Sequence, residues 1–169
     1  PPNPKLDHWP SLWRRRWPRY PARQMSWVLL SQLASTLPLC GLIWLVQLVV
    51  YPQFANAGTA QFATYHRFHS NRITWIVAPL MALELLSAGA MLLQPRAGHN
   101  AAIVVGLALA VSAWGLTGLL AVPAHNRLAN GFDATAMQRL MLANTLRTIV
   151  WTLRAALVLY WASQWHGAA

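Results

Sequence analysis

Apolar residues run through this chain in four long blocks, roughly 27–50, 73–93, 101–122 and 140–163. A bilayer core of about 30 Å needs about 20 apolar residues per helix, so each block is long enough to span it. None alternates with a period of two, which argues against a barrel. The pattern predicts an all-α integral membrane protein: a four-transmembrane-helix bundle over 27–166, preceded by a Pro/Arg/Trp-rich N-terminal arm over 1–26. The polar intervals add detail. QPRAGHN, 94–100, is a short turn that makes the second and third spans antiparallel neighbours. The longer 51–71 interval has helical spacing in its second half and is expected to extend the second span. The interval 123–138 contains Asn130-Gly131, a turn signal, and then Asp133, a candidate N-cap for the fourth span.

Composition agrees with lipid as the solvent. The chain is 56% hydrophobic and 9% charged, whereas a soluble domain carries about 25% charged residues. The net charge of +10 would suggest nucleic acid in a soluble protein. Here the basic residues sit beside apolar blocks and no basic aromatic platform accompanies them, so they read as membrane-surface charge and nucleic acid is not expected as a partner. Cys40, the single cysteine, falls inside an apolar run and reads as a small apolar residue. No targeting pattern opens PPNPKLDHW, so the first apolar run is expected to be a retained helix.

Positive charge predicts the orientation. Lys5, Arg14, Arg15, Arg16, Arg19 and Arg23 precede the first span, and Arg96 lies in the 94–100 turn. The opposite side carries Arg67, Arg72, Arg127 and Arg139. The excess places both termini in the cytoplasm of a bacterial inner, or derived intracytoplasmic, membrane, with the histidine-rich face outside. Prolines through WPSLWRRRWPRYPARQ, 9–24, exclude a long regular helix there. Trp and Arg suit the headgroup region, so the arm reads either as an interfacial anchor or as a docking arm for other membrane subunits. Trp9, Trp13, Arg14, Arg15, Arg16 and Trp17 are its candidate contacts.

Two groups of residues carry candidate chemistry. His66 and His69 are three apart in YHRFHSNRITW, on one face of a helix. Glu84 shares that face, but eighteen residues at 1.5 Å each put it about 27 Å from His66, too far for one metal ion. A kink at Pro79 would not reverse the helix. His125 lies on the same side as His66, so His66, His69 and His125 form a candidate metal set; the alternative is interfacial histidines bonded to water and headgroups.

Deeper in the bundle, Glu84 is an intramembrane carboxylate and needs a partner. Asn144, Arg147, Trp151 and Arg154 follow one another at spacings of three, four and three, a single helical stripe on the fourth span. Glu84 and Arg154 are expected at similar depth. They read as a structural pair fixing two helices, or as part of a polar pocket for an anionic headgroup, a quinone or a proton. Gly106, Ala110, Trp114 and Gly118 repeat every four residues, close to the small-xxx-small pattern of packed membrane helices.

GLIWLVQLVVYPQF, HSNRITWIVAPLMALELLSA and VPAHNRLANGFDATAMQRLMLANTLRTIVWTLRAALVL resemble the pattern of an uncharacterised family of four-helix bacterial inner-membrane proteins. The last stretch, with P-x-H/N-x-x-L and then N-x-x-R-T, is also distantly similar to anthrone-oxygenase-type membrane proteins. The resemblance covers roughly 30–160 and excludes the arm. Members of the pattern often read V-H-Y-P where this chain has Val50 in the histidine's place, a departure that fits a copy used for assembly. The resulting expectation is a non-catalytic accessory or structural subunit of a larger membrane complex, such as a respiratory or photosynthetic assembly. The alternative is a small membrane oxidoreductase or oxygenase acting on a lipophilic substrate, or a quinone- or lipid-binding protein. A proton or solute carrier through Glu84 is a further reading, with no inverted repeat to support it. A metal ion, quinone or pigment is the cofactor these alternatives would take.

Overall fold

A computed structural model describes residues 27–56, 61–93 and 100–167 of the chain. The arm, with Trp9, Trp13, Arg14, Arg15, Arg16 and Trp17, lies outside the described residues, as does most of the 94–100 turn. The described chain is helical: α1 (Trp27–Leu45), a π-helical turn (Val46–Val50), α2 (Tyr51–Asn56), α3 (Phe62–Met91), α4 (Asn100–Leu116), a second π-helical turn (Thr117–Ala121), α5 (Val122–Leu128) and α6 (Ala134–Gly167). They form four rods long and apolar enough to cross a membrane, and the protein is an all-α four-helix membrane bundle. α1 packs on α3 and α6, and α4 closes the ring against the same two helices.

Two rods run past the points where the sequence predicts them to stop. The apolar blocks predict first and third spans that end near 50 and 122, and Pro52 and Pro123 lie just beyond those points. Instead the helix continues through each proline to Asn56 and Leu128. Proline lacks an N–H, and its ring clashes with the carbonyl four residues back. A π turn immediately before each proline widens the coil and accommodates both defects. The Tyr51 N–H donates to the Val46 carbonyl, and the Val122 N–H donates to the Thr117 carbonyl, both five residues back.

Other elements follow local rules. α3 is one helix from Phe62, so the polar stretch before the second apolar block is indeed its extension. The Asp133 carboxylate accepts the Ala136 N–H at 2.9 Å and caps α6. Gly131, at φ 146°, turns the chain between α5 and α6 in a conformation that a side chain would strain. The most polar rod, α6, is also the most buried, since its polar stripe faces the other three helices.

Packing is layered along the bundle axis. At the end where α1 begins, Leu29, Met91, Ile103, Val158 and Trp161 form an apolar plug. Leu39, Ile43, Met81, Ala113 and Trp151 form a middle layer. At the far end Tyr51, Phe54, Phe62, Leu128 and Leu140 are among the residues of a third cluster. Large apolar side chains such as Trp27, Trp75, Leu86, Leu119 and Ile149 point outward, as lipid solvation requires. The small-residue repeat on α4 covers only part of this packing. Gly106 approaches α6 closely and Ala110 is fully buried, but Gly118 is exposed with open space around it. At about 100° per residue a four-residue step drifts by about 40°, so three steps carry Gly118 off the contact face. Ala113, Ala121 and Ala124 are buried along the same rod in its place.

Candidate functional site

Among the described residues, two polar assemblies stand out in the interior. The first lies between the plug and the middle layer. Glu84 on α3 and Arg154 on α6 are fully buried and paired, Nε to Oε1, at 2.8 Å. The same Oε1 accepts the Thr36 hydroxyl at 2.9 Å, and Oε2 accepts the Trp151 indole N–H at 3.0 Å. Arg154 also donates through Nη1 to the Gly106 carbonyl and through Nη2 to the Gln32 side-chain oxygen. The Gln32 amide in turn donates to the Glu84 carbonyl and to the Ser87 hydroxyl. All four rods therefore meet at one ion pair. Each charged side-chain atom of Glu84 and Arg154 has a partner, which is what makes a desolvated pair tolerable. Arg154 donates one hydrogen bond from each of its nitrogens and the Glu84 carboxylate accepts three, all with partners inside the bundle.

The sequence stripe on α6 lies on one buried face, but its members do different work. Trp151 and Arg154 belong to the ion-pair network. Asn144 lies toward the other end and donates to the Gln47 side chain at 2.6 Å. Arg147, between them, sits in neither assembly. Its guanidinium carbon stands 5.4 Å from the Trp151 ring centroid, and its Nε is buried without a hydrogen-bond partner.

The second assembly is the histidine end. His66 is fully buried, stacked on Phe62 with ring centroids 5.6 Å apart. Its Nε2 lies 3.0 Å from His125 Nδ1, and His125 Nε2 lies 3.4 Å from the Tyr51 hydroxyl. The Ser70 hydroxyl adds a contact of 3.2 Å to His125 Nδ1, the nitrogen that faces His66. His69 does not join them; its ring packs edge-on against Phe54 at 5.2 Å. No group of three His, Cys, Asp or Glu side chains among the described residues is arranged to hold a metal ion. The direct ring-to-ring hydrogen bond occupies His66 Nε2 and His125 Nδ1, while His66 Nδ1 is buried without a hydrogen-bond partner.

Between the histidine end and the middle layer lies a cavity of about 240 Å³. Its walls are apolar, including Leu39, Ile43, Val46, Val77, Met81 and Ala121. Polar groups gather toward one end: Tyr51, His69, His125 and Arg147 all contribute to the lining. Both π turns border it, through Val46 on one side and through Thr117 and Ala121 on the other. Thr74, Ala78 and Val122 line the cavity and are also exposed on the outer surface, so it opens sideways between the rods. Among the described residues the sequence missed Gln32, Thr36, Gln47, Tyr51 and Ser87. Part of their signal was present, since Gln32/Thr36 is a polar pair at helical spacing inside the first apolar block and Gln47/Tyr51 is another at its end. No family model, curated protein or solved structure matches the chain, so its function has to be argued from this geometry.

Proposed function

We propose that this protein binds a lipophilic molecule with a polar head, of the quinone or lipid class, in the cavity beneath the histidine end. The observation that carries this reading is the lining itself: apolar walls, convergent polar groups at one end and a lateral opening toward lipid. The π turns support it, because wide turns inside helices recur at binding sites. Substituting Ala78 by Trp at the exposed mouth is the test, since it fills the opening without touching the ion-pair network. After gentle solubilisation, native mass measurement of the wild-type protein should find a bound small molecule near one per chain. Ala78→Trp should retain helicity and lose at least nine-tenths of that occupancy. Unchanged occupancy, or a wild-type chain with nothing bound, would sink the proposal.

The chain is placed, on this proposal, in a bacterial inner membrane with both termini cytoplasmic and the histidine end outside. The arginine-rich arm and the resemblance over 30–160 support that placement. In a chain with Cys40 replaced by Ala, a cysteine at Asn130 should react with an impermeant reagent added from outside, and one at Ser11 should not. The reverse pattern overturns the orientation.

Membership of a larger complex is a second reading with its own support. On the outer α1–α6 face Trp44 donates to Thr152 at 3.0 Å, and Gln47 donates to Thr145 at 3.2 Å, with Trp44, Thr145 and Thr152 exposed. Polar side chains at membrane depth commonly bond across helices, so a neighbouring subunit's helix would suit this face. The same native mass measurement reads it: a chain that runs without protein partners removes this reading and leaves the cavity untouched.

A further inference from the structure

Arg147 is 7% exposed, lines the cavity and makes no ion pair among the described residues. A guanidinium cannot shed its proton to escape this environment. An unpaired cation held among apolar walls in a membrane is costly, and such residues usually face a partner or a pathway. The chain itself has almost nothing to offer. It has three acidic residues, of which Glu84 is engaged by Arg154 and Asp133 caps α6, while Asp7 lies outside the described residues. Trp151 supplies a π face on one side of the guanidinium, and Nε is buried with its hydrogen unused. Tyr51 and His125 contribute further polar groups to the same lining.

We infer that the molecule held in the cavity carries an anionic oxygen head, a carboxylate or a phosphate, and that Arg147 is the group that binds it. The inference rests on the cavity reading above and narrows it to charged amphiphiles over neutral quinones. Arg147 supplies the charge and planar donors, the geometry that suits a two-oxygen head. Tyr51 can donate a further hydrogen bond. The apolar walls and the lateral opening take the chain. A cavity of about 240 Å³ is small beside ligand pockets of about 300–1,000 Å³, so most of a long acyl chain would extend through the opening into lipid.

The probe pair is cis-parinaric acid and its methyl ester, which share one fluorescent chain and differ by the anion. Trp114 and Trp151 line the cavity, so binding is read as energy transfer from tryptophan to the probe. At alkaline pH the acid should bind at least tenfold more tightly than the ester, and Arg147→Met should abolish that preference. Phosphatidylglycerol competing as well as free oleate would assign the head to a membrane lipid. Competition by oleate alone would assign it to a single-chain acid; both outcomes uphold the anion. Equal affinity for acid and ester in the wild type overturns the anion and leaves the cavity reading standing. Binding of neither probe, with neither competitor protecting the cavity, overturns both. A second readout guards against misfolding of the variant. Removing an unpaired buried charge should raise the melting temperature of the ligand-free protein, whereas loss of a structural arginine would lower it. A lowered melting temperature would also reject the inference.

Discussion

Replacing Glu84 by Gln is expected to destabilise the bundle by about 3–5 kcal/mol, the usual cost of removing one partner of a buried pair. Arg154 is fully buried and would keep its charge while losing the carboxylate 2.8 Å away. Glutamine retains some hydrogen bonding to Thr36 or Trp151, so the loss would come mainly from the unmatched guanidinium. Arg154→Met alone should be damaging for the converse reason, leaving a carboxylate in the bundle interior. The double variant should then recover part of the loss, since replacing both charges of a buried pair is often close to neutral. It should not recover all of it, because Gln32 and Trp151 lose partners too. A double-mutant cycle on unfolding in mixed micelles measures the coupling, expected at about 1–3 kcal/mol. Strict additivity would mean that the pair seen in the structure does not hold the helices together.

That pair was readable in advance because it is a matter of angle and depth. One acid on the second block and a stripe at helical spacing on the fourth leave few ways to bury both. The apolar first block hid its share of the network for a different reason. Gln32 and Thr36 are uncharged, so nothing compels them to find a partner, and Ser and Thr inside helices often just bond their own backbone. Ser35 and Ser112 do so here, donating to the carbonyls four residues back. Position alone separates Thr36, which reaches Glu84, from Ser112, which reaches nothing beyond its own helix.

The cavity was less legible still. A void belongs to no single helix; it exists because α1, α3, α4 and α6 fail to fill the space between Trp151 and His125. The two π turns that border it were masked by Pro52 and Pro123, which in one dimension look like the ends of spans. His66 and His125 were placed on one side correctly by topology, and they meet at 3.0 Å. Whether His69 joined them depended on where its ring turned, and Phe54 decided that. Phe54 is fully buried and contacts Phe62, Tyr65, His66 and His69, so the aromatic packing of α2 against α3 takes His69 out of the group.

Gly106 is where a single methyl group should have the next largest effect. A Cβ built there would lie 2.6 Å from Trp161 Cη2, 3.2 Å from Arg154 Nη1 and 3.3 Å from Leu157 Cδ2. The indole is 5% exposed and wedged into the plug formed with Leu29, Met91, Ile103 and Val158, so it has little room to withdraw. Moving α4 away instead would stretch the bond from Arg154 to the Gly106 carbonyl and loosen its hold on Glu84. Gly106→Ala is therefore expected to cost about 1–3 kcal/mol, as overpacking of a filled interior does. Gly115→Ala is the matched control: it lies on the same helix, meets nothing within 4 Å and should be stabilising by about 0.5–1 kcal/mol through helix propensity. Pairing Gly106→Ala with Trp161→Phe removes the ring atom in the way and should recover part of the loss. Thermal unfolding of the four proteins in one detergent settles the matter. If Gly106→Ala behaves like Gly115→Ala, the close approach of α4 to α6 is wrong, and with it the wall that holds Arg154 in place.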